Sequence, residues 1–379
     1  MVEVWKSRWR ASARRSEEMV FARIFVVVAI LACIAFGSIG CTRQDTAVPP
    51  EDAPQFPNLE TALPDPEPLW GEVHRGLHPA LIEPSYAGAD RAAAFVADDD
   101  IVYVFRSGTA TYVYPQQFLC LHHVINDVID GQPVLVSLCM LCDSASAYSR
   151  RLDDRVLTFD SLGSLYYGNL VVYDRETDSH WIQLTGVASG GPLRGRRLTK
   201  VRSLDKTKWS RVKQRGNLKV LAPVAPLNVY REFYESMRKS SLGGEVLQQT
   251  KAFDPRLPPY TPGLGVQVHG AACFFPSTIL EQKGLIQQDL GGWSLLLVQD
   301  TALETTRIFR RRVGQRLLNF EREGAGLIDR ETGTRWSVEG VALKGPLAGA
   351  VLEQPAYTSA YWFSWAAFHP GTDIFQAPN

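Results

Sequence analysis

The side chains best suited to chemistry are cysteines and histidines that lie close together in the sequence. Two cysteines are separated by two residues in the segment CMLC, and the segment CLHH precedes them. The candidate ligands are Cys120, His122, His123, Cys139 and Cys142. Two thiolates on one side of a turn suit bidentate metal coordination, and one or two imidazoles would complete a tetrahedral zinc site or a thiolate-rich copper(I) site. The spacing therefore predicts that these five residues bind zinc or copper.

The same cysteines allow two other interpretations. CxxC motifs lower the pKa of a thiol and serve thiol–disulfide oxidoreductases outside the cytoplasm. Here, however, the motif follows a strand-like run, and the sequence shows no helix start that would stabilise a thiolate. A structural disulfide is the third interpretation, formed by Cys139 with Cys142 or by Cys120 with one of them, because disulfides form readily in exported proteins. The residue pattern leaves all three open.

A second set of polar and aromatic residues indicates ligand binding without catalysis. Its members, Tyr166, Tyr167, Asn169 and Gln183, follow the CxxC segment. Aromatic rings and amide groups suit a small polar ligand or a glycan. Aromatic residues in strand-rich segments more often pack in the core. The alternative function is therefore a ligand-binding scaffold that carries a structural disulfide.

The sequence contains the same module twice. Residues 131–159 align without a gap on residues 292–320, with Gly, two Leu, three Arg and Phe identical in register. The segments DRETDSHW at 174–181 and DRETGTRW at 329–336 follow in the same order. Each copy has short apolar runs bounded by turn residues, which is typical of strands. We therefore expect a mainly β fold, with α+β as the alternative, in which two strand-rich halves pack together.

The predicted organisation has five parts. They are a signal peptide at 1–41, a Pro-rich tether and lead-in at 42–91, the first repeat at 92–222, a helical and Pro-rich connector at 223–262, and the second repeat at 263–379. The clearest helical pattern, Leu227–Lys239, lies in the connector.

The duplication serves as an internal control. A duplicated scaffold needs the same turns and core residues in both halves, so features confined to one half are better candidates for chemistry. The DRET turn and the pair Trp181/Trp336 are shared and are predicted to be scaffold. The CxxC cysteines align with Asp300 and Leu303, and the CLHH segment and a six-residue insertion around 161–169 are also confined to the first copy. We therefore expect the first copy to carry the site.

Several segments resemble a known bacterial family, the domain of unknown function 3179. They are HHVINDVIDGQPVLVSLCMLCDSASAY, LGSLYYGNLVVYDRETDSHWIQLTG and the ending YWFSWAAFHPGTDIF, in that order between about residue 92 and the C-terminus. The resemblance implies an exported or membrane-associated protein of unestablished activity. Two departures concern the candidate site. His122 stands at the family's histidine, whereas His123 replaces its glutamate, and the family's Cys-Pro-Leu-Cys-Gly is here Cys-Met-Leu-Cys-Asp at 139–143.

The N-terminus has the pattern of a bacterial export signal. A basic stretch is followed by the apolar run 24–36 and by small residues directly before Cys41. This order resembles the lipobox, in which cleavage precedes a cysteine that is then lipidated. Met19 is an alternative start, and an uncleaved N-terminal helix is the alternative anchor. Both predict an exported protein held at a membrane on the periplasmic or extracytoplasmic side.

Charge and motif content exclude several function classes. Lys+Arg and Asp+Glu both number 40, so the chain lacks the basic excess that nucleic-acid binding requires. Walker, G-x-S-x-G, H-E-x-x-H and dinucleotide-binding glycine patterns are missing from the sequence. We therefore expect no nucleic-acid partner, and whether the protein is an enzyme stays open.

Overall fold

The computed structural model describes residues 74–108, 110–239 and 254–376. The predicted signal peptide, Cys41 and most of the segment 42–91 lie outside the described residues. Three short elements open the described chain, at Leu81–Ile82 (β1), Tyr86–Ala87 (β2) and Ala89–Ala92 (α1).

The first copy is made of short strands joined by tight turns. Its first part contains β3 (Ile101–Ser107), β4 (Ala110–Pro115), α2 (Gln116–His122), β5 (Val124–Ile129), β6 (Gln132–Cys139) and β7 (Ser144–Ser149). Its second part contains β8 (Arg151–Leu152), β9 (Arg155–Val156), β10 (Phe159–Tyr166), β11 (Asn169–Asp174), β12 (His180–Ile182) and β13 (Ala188–Gly190). It closes with β14 (Lys200–Arg202), β15 (Asp205–Lys208), α3 (Trp209–Val212) and β16 (Leu218–Leu221).

The helix α4 (Leu227–Lys239) follows the first copy and has the range that the sequence pattern predicts. Its Tyr230 ring packs on Phe118 of α2, with ring centroids 4.4 Å apart. Every residue of α2 is buried, whereas the equivalent helix of the second copy is mostly exposed. The connector therefore covers one helix of the first copy.

The second copy repeats the order of the first. It contains β17 (Pro262–Val268), β18 (Ala271–Pro276), α5 (Ser277–Lys283), β19 (Leu285–Leu290), β20 (Trp293–Asp300) and β21 (Thr305–Arg310). Next come β22 (Arg312–Val313), β23 (Arg316–Leu317), β24 (Phe320–Glu323), β25 (Gly326–Asp329), β26 (Arg335–Trp336) and β27 (Ala342–Lys344). It ends with β28 (Tyr357–Tyr361), α6 (Trp362–Phe368) and β29 (Asp373–Ile374).

The strands pair in the same way in both copies. The meanders β5-β6-β7 and β19-β20-β21 are antiparallel, as are the four-stranded sheets β10 to β13 and β24 to β27. In the first copy β15 pairs antiparallel with β3 and β16 pairs parallel with β4. In the second copy β28 and β29 pair with β17 and β18 in the same senses. The fold is therefore mainly β, as predicted.

The DRET turns have the same hydrogen bonds in both halves. The indole Nε1 of Trp181 donates to Asp174 Oδ2 over 2.8 Å, and Trp336 donates to Asp329 Oδ2 over 2.8 Å. In each turn the aspartate also accepts the backbone N–H of the residue three positions on, over 2.6 Å. An aspartate that satisfies turn donors and a buried indole together fixes the turn to the core. This geometry supports the interpretation of these residues as scaffold.

A strand near the end of each copy packs against the other copy. β28 of the second copy lies against β7 of the first, and β15 of the first lies against β21 of the second. Across the second contact, the buried Arg307 pairs with Asp205 over 3.0 Å and with Asp300 of its own copy over 2.7 Å. The two turns that end β6 and β20 therefore both lie where the copies meet. None of the described helices is long and apolar enough to span a membrane.

Candidate functional site: a buried pair of thiols

The CxxC motif forms the turn between β6 and β7. Cys139 is the last residue of β6 and pairs with Ser144, the first residue of β7. Asp143 has a φ of 50°, which turns the chain back into the next strand. This tight turn places the two sulfur atoms 3.0 Å apart. Both side chains are buried, with 3% of Cys139 and none of Cys142 exposed.

The equivalent turn of the second copy contains a carboxylate in place of the first sulfur. Asp300 ends β20 as Cys139 ends β6, and its Oδ1 accepts the backbone N–H groups of Ala302 over 3.0 Å and Leu303 over 3.1 Å. In the first copy the corresponding N–H groups, those of Leu141 and Cys142, donate to the Cys139 sulfur. The turn is therefore built to stabilise a negative charge at this position.

The first thiol is the easier of the two to ionise. Burial alone would raise the pKa of Cys139. Hydrogen bonds to its sulfur from the Cys142 thiol and from the backbone of Leu170, Cys142 and Leu141 outweigh that effect and hold the pKa below its usual value. Of the two thiols, Cys139 is therefore the one that more readily carries a negative charge.

The second thiol stays protonated while the first is charged. Burial raises the pKa of Cys142 well above its usual value, and the neighbouring charge on Cys139 raises it further. Its sulfur also lies 2.9 Å from the carbonyl oxygen of Gly168, which can accept a hydrogen bond but cannot donate one. The two thiols thus share one site but differ in their protonation state.

The insertion predicted to be specific to the first copy supplies one wall of this site. It lengthens β10 to eight residues, against four in β24, and ends in a turn at Tyr167 and Gly168, both with positive φ. This turn brings the Gly168 carbonyl onto Cys142. Two features confined to the first copy therefore meet in space.

The second copy completes the site from the opposite side. The backbone N–H of Tyr361 donates to the carbonyl oxygen of Cys142 over 2.8 Å. Phe363 packs in the same hydrophobic cluster as both cysteines. The side chain of Ser364, on α6, is fully buried, its hydroxyl has no hydrogen-bond partner among the described residues, and it lowers the pKa of Cys142 against the effect of burial.

The amide side chains predicted to bind a ligand are engaged with the protein instead. Asn169 Oδ1 accepts the backbone N–H of Leu184 over 2.9 Å, and its Nδ2 lies 3.3 Å from Gln183 Oε1. Gln183 donates to the carbonyl oxygens of Ser137 and Ser144 and accepts from the Ser144 hydroxyl over 2.8 Å. These amides form a buried network that holds β6, β7 and β11 beside the thiols.

The two tyrosines of the predicted ligand set pack with an aromatic residue of the second copy. The rings of Tyr166 and Tyr167 are 4.8 Å apart and lie edge to face. Both contact the Phe368 ring, at 6.1 Å between centroids. This arrangement has the geometry of core aromatic packing.

The predicted histidine ligands interact with other partners than the thiols. His122 Nδ1 lies 2.7 Å from the Pro79 carbonyl oxygen, and its Nε2 lies 2.9 Å from the Tyr230 hydroxyl. His123 stacks on His78 with ring centroids 4.0 Å apart. Burial lowers the pKa of His78 and His122 to about 4 and that of His123 well below its usual range.

Cys120 lies on α2 with its thiol reduced and buried, and burial raises its pKa to about 12. Within the described ranges, no three or more His, Cys, Asp or Glu side chains are placed to hold a metal ion. The five residues predicted as a metal site are therefore not brought together there. The side chain of His122 on α2 contacts Pro79, before β1, and Tyr230 of α4, whereas the Cys142 sulfur in the hairpin turn contacts the carbonyl oxygen of Gly168.

Comparison with known proteins places the chain in a family. A model described as "Protein of unknown function (DUF3179)" matches residues 75–372. The chain belongs to the DUF3179 family. The matched range covers most of both copies. No curated protein and no solved structure matched.

Two residues that lie beside the thiols in this DUF3179 protein were not predicted from the sequence. Ser364 is separated from Cys142 by more than two hundred positions, and Gly168 contributes a backbone atom that carries no side-chain signal. The ending YWFSWAAFHPGTDIF, which carries the family resemblance, was the available signal for Ser364. His78, which stacks on His123, precedes the first repeat and gave no signal.

Proposed function

We propose that this DUF3179 protein is exported, anchored to a membrane, and carries Cys139 and Cys142 as a reversible dithiol–disulfide pair. The observation that supports the pair is the 3.0 Å separation of the two sulfurs in a turn whose backbone N–H groups stabilise a charge on the first. A bond between sulfurs is about 2.05 Å long, so an approach of about 1 Å would form the disulfide.

The proposed chemistry is exchange with a disulfide of another molecule. The Cys139 thiolate attacks one partner sulfur, forms a mixed disulfide and releases the other partner sulfur as a thiolate. Cys142 then loses its proton and attacks Cys139, which releases the second partner thiolate. Starting from the Cys139 thiolate and the Cys142 thiol, the protein loses two electrons and one proton, and the partner disulfide gains the two electrons and leaves as two thiolates.

Metal binding is the weaker candidate because two sulfurs lack further ligands. A structural zinc site takes four protein ligands. His122 and His123 are engaged with Pro79, Tyr230 and Leu119, and Cys120 lies on the same helix. The Gly168 carbonyl oxygen lies 2.9 Å from the Cys142 sulfur.

Export to the outside of the cytoplasm supports a redox role for the two thiols. Disulfides form and persist outside the cytoplasm. The basic, apolar and small residues before Cys41 predict that the described residues are delivered there. Whether the membrane is reached by lipidation of Cys41 or by an uncleaved helix is tested by mass spectrometry of the mature N-terminus, which detects either a lipidated cysteine or an intact leader.

The deciding experiment is a redox titration of the full chain in detergent, with bound metal measured on the same sample. Protein equilibrated in glutathione buffers is alkylated, and each cysteine is read by peptide mass spectrometry. We expect Cys139 and Cys142 to titrate together as a two-electron couple, while Cys120 and Cys273, both buried and reduced, stay unchanged. A Cys120→Ala variant is the matched control and should titrate as the wild type does. One zinc or copper per chain, lost in Cys139→Ser, would overturn the proposal, as would thiols that never oxidise.

A further inference from the structure

The exchange reaction requires a group that stabilises a negative charge on Cys142, and the first copy does not supply it by itself. After Cys139 has formed a mixed disulfide, Cys142 must ionise in order to attack it. Cys142 is fully buried, and the carbonyl of Gly168 beside it repels a negative charge. Some hydrogen-bond donor must therefore reach this sulfur from another element.

The second copy supplies such a donor. Ser364 lies on α6, and its hydroxyl oxygen is buried without a hydrogen-bond partner among the described residues. A buried hydroxyl without a partner costs free energy unless another group satisfies it. A charged Cys142 sulfur would be such a group, because Ser364 lowers the pKa of that thiol. The N–H of Tyr361, just before the helix, fixes this end of α6 to the carbonyl of Cys142 over 2.8 Å.

The residue of the first copy that corresponds to Ser364 makes a different contact. The pairing of β15 with β3 and of β28 with β17 aligns Trp209 with Trp362, so Arg211 corresponds to Ser364. Arg211 forms an ion pair with Glu304 at the turn of the second copy. A small hydroxyl therefore occurs at this position only where the facing turn contains cysteines.

We propose that the Ser364 hydroxyl stabilises the Cys142 thiolate during the second, resolving attack of the exchange reaction. This inference rests on the proposed dithiol function and adds that the redox site is shared between the copies. The other donor near this sulfur is the side chain of Asn169, which is committed to the amide network. Ser364 is thus the donor that can turn toward the sulfur as charge appears.

The reaction with 4,4′-dithiodipyridine separates the two steps, because each attack releases one thiopyridone that is followed by its absorbance. The full chain is used with Cys33, Cys41, Cys120 and Cys273 replaced by alanine, and its thermal unfolding is compared with that of the wild type. We expect two releases per chain. In Ser364→Ala the first release should keep its rate, while the second should slow roughly tenfold, the effect of one lost hydrogen bond to a charged group.

Two further variants keep the test specific. Ser364→Thr retains the hydroxyl and should restore the second release. Ser146→Ala removes another buried hydroxyl that lacks an oxygen or nitrogen partner and should leave both releases unchanged. Equal second releases in wild type and Ser364→Ala would overturn the role of Ser364 alone. If the chain that keeps Ser364 and retains only Cys139 and Cys142 releases no second thiopyridone, the dithiol function itself is overturned.

Discussion

Cys139 and Asp300 occupy the same position in the two turns that close β6 and β20. Each ends its strand, and each accepts hydrogen bonds from the backbone N–H groups two and three residues further on. The second copy neutralises its carboxylate with Arg307, over 2.7 Å. The first copy has Ser146 at that position and uses a thiol that can change its charge. The same turn therefore contains a carboxylate paired with an arginine in the second copy and an ionisable thiol in the first.

The first prediction concerns the order in which the thiols ionise. Alkylation of Cys139 by iodoacetamide should reach half its maximal rate below pH 9.0, because hydrogen bonds hold its pKa under that value. In Cys142→Ala the midpoint should move upward, since the hydrogen bond from the second thiol is lost. Peptide mass spectrometry gives the rate at each pH.

Cys120 serves as the control within the same samples. Burial raises its pKa to about 12, so it should stay unmodified across this range. A Cys139 that alkylates with the pH profile of Cys120 would contradict the assignment of the nucleophile.

The second prediction concerns the ion pair between the copies. Asp300→Asn leaves the buried guanidinium of Arg307 with one carboxylate, that of Asp205, and should lower the free energy of unfolding by about 3 kcal/mol. Arg307 lowers the pKa of Asp300 against the effect of burial. In the wild type, the ionised Asp300 carboxylate therefore contributes to the free energy of unfolding at neutral pH. This contribution is lost as the pH falls through the folded-state pKa of Asp300, which lies below 3.8.

Urea denaturation of the variant at neutral pH measures this loss. The exposed pair of Arg196 and Asp153 gives the control, because Asp153→Asn should change the free energy of unfolding by less than about 0.5 kcal/mol. Equal effects of the two substitutions would show that Asp300 does not anchor the interface.

The third prediction concerns stability in mild acid. Burial lowers the pKa of His78 and of His122 to about 4, whereas an unfolded histidine titrates near 6.5. Between these values the unfolded chain binds protons that the native protein does not. The stability is therefore complete above about pH 6.5 and is lost progressively as the pH falls toward 4.

Urea midpoints measured from pH 7.5 to pH 4.5 test this dependence. His122→Gln retains groups that can bond Pro79 and Tyr230, and it should flatten the slope because one titrating group is gone. A wild-type midpoint that is constant over this range would contradict the prediction.

The fourth prediction uses the duplication to separate scaffold from site. Asp174→Ala and Asp329→Ala each leave a buried indole N–H and a turn N–H without an acceptor. Both should lower the free energy of unfolding by a similar amount, about 2 to 4 kcal/mol. At temperatures where the variants stay folded, the redox titration of Cys139 and Cys142 should match that of the wild type. A shift of the couple in either variant would give this turn a role in the chemistry.

Local patterns in the sequence were sufficient to predict the mainly β class and the helix at Leu227–Lys239. Strand alternation, turn residues and helix periodicity act over a few residues, so the chain displays them without its fold. Comparison of the copies also separated the shared DRET turns from the features of the first half.

The partners of each candidate ligand depended on register and on packing between distant segments. His122, His123 and the two thiols are close in the chain, yet α2 directs the imidazoles toward α4 while the hairpin turn directs the thiols toward Gly168. A shift by one residue in a helix or a strand changes where a side chain points, and sequence spacing does not contain this information.

The sequence alone therefore determined which residue types are available and which half of the duplication contains them. The tertiary structure decided that Cys139 and Cys142 face each other, that Asp300 is the counterpart of Cys139, and that Ser364 reaches the pair from the other copy. The physical reason is that burial and hydrogen bonding set the charge of a thiol, and both arise from segments that come together only when the two copies pack.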